Sequence, residues 1–319
     1  MILSATLCAL AAAPSPYALE PVAVAEGVYV FEGRQEHFSR ENGGNIVNTA
    51  FVVGETGVVV VDTGPSKLYG EAMRRAIGTV TDLPVARIYL THAHPDHFLG
   101  NQAFPGIPVF ALATTATRIE EQGEDLAENL YGMLGGWMRG TSALAPTDVA
   151  EPGAVEVGGR ALRVLTFSGH TDGDLVVVDV ATGTWITGDL VFLDRAPTTP
   201  DADLSAWHAA LNALEQAAPG RVVPGHGPVH SGKRGIEQTR AYLRWLEQTL
   251  GAHARAGDDM MDAFEVKSPP AWVEKLHVFG DEHARSVVHL FPGIEAATLR
   301  DLPPLPKPSK RKPPEPSGS

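Results

Sequence analysis

The segment Ile88-Tyr89-Leu90-Thr91-His92-Ala93-His94-Pro95-Asp96-His97 limits what this chain can fold into more than any other stretch. An apolar strand runs directly into a cluster of metal-competent side chains. In extended backbone, residues two apart face the same way, so His92 and His94 can converge on one ion. Pro95 cannot continue a strand ladder but suits the first turn of a helix, which swings Asp96 and His97 to a neighbouring position. Imidazole and carboxylate suit zinc, iron or manganese. A lone histidine is usually a surface or packing residue. Three histidines and an aspartate within six residues are not accounted for in that way.

Three later segments repeat the arrangement. Leu162 to Phe167 is an apolar-periodic strand leading to Ser168-Gly169-His170, Trp185-Ile186-Thr187 leads to Gly188-Asp189, and Val222-Val223-Pro224 leads to Gly225-His226-Gly227. Each places a metal-competent side chain just past a strand, beside glycines that let the backbone turn sharply or approach closely. With the first cluster they make seven candidate ligands: His92, His94, Asp96, His97, His170, Asp189 and His226. Seven are enough for two tetrahedral or five-coordinate ions with an aspartate between them.

The rest of the chain reads as a mixture of hairpins and helices. Val22 to Phe31 and Thr49 to Asp62 have strand character, and Val58 to Val61 is apolar enough to be buried on both faces. Helical spacing covers Tyr69 to Val80, Thr114 to Arg139, Leu204 to Ala217, Ser231 to about Gly257 and Asp281 to Leu290, with strands at Val85 to Thr91, Val109 to Ala111, Ala161 to Phe167, Leu175 to Val180, Thr184 to Thr187 and Arg221 to Val223. Such a mixture is an α+β chain with sheets in the middle and helices outside. Four stretches are expected: a signal-like leader (1–19), a core (20–230), C-terminal helices packed on it (231–300), and a Pro/Lys-rich tail (301–319) that forms no fixed structure.

The net charge of −13 argues against a nucleic-acid partner, and the short basic run Lys307 to Lys312 lies in the tail. Ile2 to Ala13, followed by Pro14-Ser15-Pro16, has the apolar stretch and small residues of a secretory signal but lacks its positively charged start. It is too short to span a bilayer. Export to the periplasm is the expectation, with no membrane span in the mature protein; removing the leader would also remove Cys8, the one cysteine.

The set His-x-His-x-Asp-His, Gly-His, Gly-Asp and Gly-His-Gly, in that order, resembles the metallo-β-lactamase superfamily, over roughly Val22 to His230. The resemblance implies an αββα sandwich with the C-terminal helices added to it. It implies two zinc ions, one held by His92, His94 and His170, the other by Asp96, His97 and His226, with Asp189 as the bridge. Asp62, in Val-Val-Val-Asp-Thr-Gly, matches an aspartate that supports the metal loops. More narrowly, Gly43 to Asn48, His94 to Asn101, Trp245 and Phe291-Pro292 are similar to quinoprotein relay system zinc metallohydrolases, which implies a periplasmic quinoprotein dehydrogenase as partner.

Zinc lowers the pKa of a bound water to about 7, which suggests attack by a metal-held hydroxide on a small-molecule carbonyl substrate: thioester, lactone, ester or amide. Asp96 is the candidate catalytic residue, through a water that serves the leaving group. The aspartate at Asp189 resembles the glyoxalase II and lactonase branches more than true β-lactamases. Two alternatives stay open: a one-iron sulfur dioxygenase-like redox enzyme, and a non-catalytic relay protein that keeps metal for its shape. The stretch Leu126 to Arg139 could be a lid or a packed helix, and the helix around Trp245 a pocket wall or core. His37 could sit on a loop at the mouth of the site. His208, His230, His253, His277, His283 and His289 read as surface or packing residues.

Overall fold

The computed structural model describes residues 17–266 and 268–301. Most of the signal-like leader, with Cys8, and nearly all of the Pro/Lys-rich tail lie outside the described residues. The first sheet has seven strands in sequence order: β1 (Val22–Ala25), β2 (Val28–Phe31), β3 (Thr49–Val53), β4 (Val58–Val61), β5 (Val85–Tyr89), β6 (Val109–Ala111) and β7 (Asp148–Val149). The first four are joined antiparallel, and β4 to β7 run parallel. The second sheet lines up β13 (His230–Ser231), β12 (Arg221–Val223), β11 (Thr184–Ile186), β10 (Asp174–Asp179), β9 (Arg160–Phe167) and β8 (Gly153–Val157).

Alternation along the strands explains the layers. In β4, Val59 and Val61 point toward the second sheet, while Val58 and Val60 pack against helices on the other side. In β10, Leu175 and Val177 face the first sheet while Val176 and Val178 face helices. Both strands are buried throughout, and each buried valine contributes roughly 1.5–3 kcal/mol. Period two thus forces two packed sheets with an apolar layer on each outer face.

The helices α1 (Lys67–Ile77), α2 (Pro95–Phe98) and α3 (Ala113–Leu134) follow strands of the first sheet. Met73 and Ile77 of α1, Phe98 of α2 and Ile119 and Leu130 of α3 fill its outer layer. On the far side α4 (Leu204–Gln216), α5 (Arg234–Ala256), α6 (Met260–Ala263), α7 (Ala271–Glu274) and α8 (Phe279–Asp301) supply Trp207, Leu246, Ala263, Val273 and Phe291 to the other outer layer. The αββα sandwich expected from the sequence is the architecture found.

Several boundaries differ from the sequence reading. Residues 230–231 pair with β12 before a left-handed Gly232, so α5 begins at Arg234 and not at Ser231. The helix expected over Thr114 to Arg139 ends at Leu134, where Gly135 has φ 60, and a 3-10 turn carries the chain to Met138. α8 runs well beyond Leu290 and through Pro292, because Val287 and Phe291 bury one face in the helical layer. The short strands β7 and β8 were not foreseen; β7 is exposed and β8 is buried only at its end, so neither has a clear apolar period.

Candidate metal centre

Four strand ends build the site. Strands β9 and β11 both run antiparallel to β10, and β12 runs parallel to β11, so their C-terminal ends share one edge of the second sheet. His170, Asp189 and His226 follow those three ends, and the residues 92–97 follow β5 in the first sheet. His94 keeps extended backbone as the N-cap of α2, with Pro95 at the first helical position. Two glycines make room for the approach. A side chain at Gly225 would place its Cβ 1.8 Å from Asp189 Oδ1, and one at Gly188, which has φ 51, would strike the Thr91 side chain at 2.6 Å.

The seven residues picked out from sequence come together as two groups, His92, His94, His170 and Asp189, and Asp96, His97 and His226; within each group the ligating atoms lie within 4.8 Å of one another. His94 Nδ1 is 3.0 Å from His92 Nε2 and 2.9 Å from His170 Nε2. In the second group His226 Nε2 is 3.4 Å and His97 Nε2 3.9 Å from Asp96 Oδ2. Asp189 stands between them: Oδ2 is 3.4 Å from His170 Nε2 and 3.3 Å from His226 Nε2, and Oδ1 is 3.3 Å from His97 Nε2.

The outward nitrogens of His92, His94, His97 and His226 are held, while His170 Nδ1 has no partner among the described residues. His226 Nδ1 is 2.7 Å from the Ile46 carbonyl, which can only accept, so Nδ1 carries the proton and Nε2 faces the centre. Asp62, with φ 60 at the end of β4, accepts from the Thr91 amide (2.8 Å), the Thr91 hydroxyl (2.8 Å) and His97 Nδ1 (2.7 Å). With its proton committed to Asp62, Thr91 Oγ1 accepts from His92 Nδ1 at 3.0 Å. Asp62 therefore orients two histidines, the supporting role expected for it. His94 Nε2 is 2.9 Å from Asp201 Oδ2. Outer partners of this kind fix the tautomer and direction of a metal-binding imidazole.

Charge is arranged to match. Burial, reinforced by His97, pushes His92 well below the ordinary imidazole value, and burial holds His170 down at about 3, so both stay neutral. Burial alone would raise Asp189, but His226 and His97 outweigh it and keep the carboxyl ionised. His97 Nε2 and Asp189 Oδ1 are buried with no hydrogen-bond partner among the described residues. Unused polar atoms of that kind are costly unless something completes them. A cation between them would, and the nitrogen and oxygen donor set fits zinc.

A cavity of about 510 Å³ opens over Asp96, Asp189 and His226. Leu126, Leu130 and Met133 of α3 form one wall, so the stretch 126–134 is a packed helix that also faces the cavity. Trp245 packs in the helical layer and does not line it. His37 does line it, with Nε2 3.3 Å from Glu282 Oε1. His208 lies elsewhere, 3.0 Å from Glu247.

Residues 42–226 match the family model described as the metallo-beta-lactamase superfamily. The chain belongs to that superfamily. It is similar to a metallo-beta-lactamase from Pontibacter korlensis, with 25% identity and a TM-score of 0.59 over 71% of this chain and 99% of the other. It shares the fold of the sec-alkyl sulfatase PisA1, with 15% identity and a TM-score of 0.66 over 90% of this chain and 52% of that one. A linear primary-alkylsulfatase from Pseudomonas sp. is 23% identical over an alignment 267 residues long that covers 67% of this chain. The match takes in 48% of that relative, so the chain spans about half its length. The paired His/Asp groups at its centre fit the metal-dependent hydrolases of that superfamily.

Sequence reading missed several residues around the centre. Asp201 holds His94 from 107 positions away and also meets Arg118 at 2.7 Å. Asp174 accepts from the His170 amide and from Thr171, fixing the turn that carries His170, and burial raises its carboxyl to about 7. Asn48 donates to the Pro224 and Gly227 carbonyls and pins the His226 loop. It belongs to the quoted Gly43–Asn48 motif, which was a usable signal. Arg118, Arg195 and Arg285 line the cavity and had no motif around them.

Proposed function

We propose that this superfamily member is a dinuclear zinc hydrolase acting on a small carbonyl-type substrate: a thioester, lactone, ester or amide. His92, His94 and His170 would hold one ion, Asp96, His97 and His226 the other, and Asp189 would bridge. When bound, the ions polarise the substrate and make water nucleophilic at neutral pH. The observation that carries this is Asp189, whose two oxygens sit 3.3–3.4 Å from histidine nitrogens of both groups.

The chain's own residues would do the rest. Asp62, Asp201 and the Ile46 carbonyl keep the imidazole protons on the outer side. Asp96 lines the cavity and is held strongly ionised, with His97 and His226 outweighing the effect of burial. It can accept a hydrogen bond from an entering water and orient that water toward the leaving group. The α3 wall excludes solvent from one side.

A second reading takes a sulfate ester, the chemistry that the names of two relatives describe. It is favoured by the extent of the alkyl-sulfatase likeness, 90% of this chain, which residues 1–230 alone could not supply. Export to the periplasm and association with a quinoprotein dehydrogenase complete the proposal; cell fractionation of the native host and co-purification would test them.

Metal analysis comes first. Two zinc ions per chain, with turnover of a thioester, lactone, ester or sulfate-ester panel, is the expected result. Replacing His92 or Asp189 by alanine should lower metal content and abolish turnover. Unchanged zinc stoichiometry in both variants would sink the ligand assignment, and one iron per chain would point to oxygen chemistry.

A further inference from the structure

The cavity over the metal centre sets three arginines beside three aspartates. Asp96 and Asp189 belong to the metal groups, and the arginines are Arg118, Arg195 and Arg285. Arg118 is compensated by Asp201 at 2.7 Å. Arg195 and Arg285 are not compensated separately. Among the described residues the carboxylate paired with both is Glu282, which faces Arg195 Nη2 at 3.8 Å, Arg285 Nη1 at 3.2 Å and His37 Nε2 at 3.3 Å. One negative charge is shared among two guanidinium groups and an imidazole.

Arg195 also has donors to spare. Its side chain is 2% exposed, and among the described residues its Nε and Nη1 have no hydrogen-bond partner. A buried guanidinium left with unused donors is unfavourable unless an acceptor arrives. Its rigid fork suits a carboxylate or sulfate-type group held by two parallel hydrogen bonds. Arg285 stands in the same space, and its side chain is 44% exposed. The lining also has an apolar part, with Phe38, Leu126, Leu130 and Met133.

Resting on the hydrolase reading of this site, we propose that the substrate is an amphiphilic anion. Arg195 and Arg285 take its acidic group, and its apolar chain lies against Phe38 and the α3 wall. The acidic group could be the one cleaved, as in a sulfate ester, or a carboxylate remote from the cleaved bond. Both present oxygens to the same fork.

Calorimetric titration of the full chain, supplied with zinc, tests this with non-cleavable probes. Decane-1-sulfonate should bind at least about tenfold more tightly than decan-1-ol, a tenfold change being about 1.4 kcal/mol. Butane-1-sulfonate should be at least about tenfold weaker than the longer sulfonate, through lost apolar contact. Arg285→Ala should weaken decane-1-sulfonate by about tenfold or more and leave decan-1-ol unchanged. Arg195→Met should do the same, and its melting curve reports whether the fold survives; Arg285, on the surface of α8, gives the independent check. Decanoate in place of the sulfonate separates a carboxylate preference from a sulfate-type one. Equal binding of sulfonate and alcohol, or full sulfonate affinity in Arg285→Ala, overturns the proposal. Metal content and turnover of neutral esters report separately on the hydrolase reading. Should the protein take up no zinc, the same titrations on metal-free protein still decide whether the arginines bind the anion.

Discussion

Asp62→Asn separates the scaffold of the metal centre from its ligands. The carboxylate accepts three hydrogen bonds while 1% exposed: 2.8 Å from the Thr91 amide, 2.8 Å from the Thr91 hydroxyl and 2.7 Å from His97 Nδ1. Asparagine tolerates the left-handed φ of 60 at this position, so the backbone can stay in place. One amide oxygen can still accept from Thr91, but the other arm becomes a donor. It then faces His97 Nδ1, which must give up its proton to accept. The His97 proton moves to Nε2, where it points at Asp189 and occupies the lone pair an ion would need.

The expected result is a selective loss at the site of Asp96, His97 and His226. Removing an outer partner of a metal-binding histidine lowers affinity by about 10–100-fold, or about 1.4–2.7 kcal/mol. Stability should fall by about 1.5–3 kcal/mol, the usual worth of hydrogen bonds to a charged group. Asp62→Ala should cost about 1–2 kcal/mol more, because alanine strains the left-handed backbone. Competition with a chromophoric chelator resolves the two metal-binding steps, and thermal melting gives the stability. If Asp62→Asn loads both ions with wild-type affinity, the tautomer argument is wrong.

Other outcomes follow from particular contacts. Gly225→Ala would put a Cβ 1.8 Å from Asp189 Oδ1; displacing that carboxylate should lower turnover by about 100-fold, and wild-type kinetics with unchanged metal content would contradict the close approach. Asp179 accepts from Arg160 at 2.6 and 2.8 Å and from Thr182, and these bonds outweigh burial to hold its carboxyl below the ordinary value. A depressed folded pKa means that its stabilisation is complete above about pH 4 and is lost as pH falls through the lower folded value. Asp179→Asn should therefore melt lower at neutral pH by about 1.5–3 kcal/mol, with the gap closing in acid and metal content unchanged; a gap that does not depend on pH would refute the linkage. His208→Ala removes only a half-buried pair with Glu247. Activity and metal content should match wild type, with stability within about 1 kcal/mol, and a large loss of turnover would show that His208 serves the site.

Much of the site was legible because its chemistry is local. Pro95 between His94 and Asp96, and glycine before His170, Asp189 and His226, mark strand ends that carry metal-competent side chains, and strand period does the marking. The two-sided burial of Val58–Val61 was legible for the same reason. The short strands β7 and β8 and the extension of α8 through Pro292 were not, because their place depends on neighbours distant in sequence.

The sequence by itself determined which residues can hold metal and in what order they occur, since a nitrogen or oxygen donor at a strand end is a property of a few adjacent residues. Only the tertiary structure decided which of the remaining polar groups serve them. Asp201 reaches His94 across 107 positions, and the Ile46 carbonyl reaches His226 across 180. Arg285 meets Glu282 three residues away on α8, but Arg195 shares that carboxylate only because α8 packs beside it. Coordination chemistry leaves a pattern along the chain. The electrostatics that select a substrate are a sum over charges brought close in space, and no spacing in the sequence records that sum.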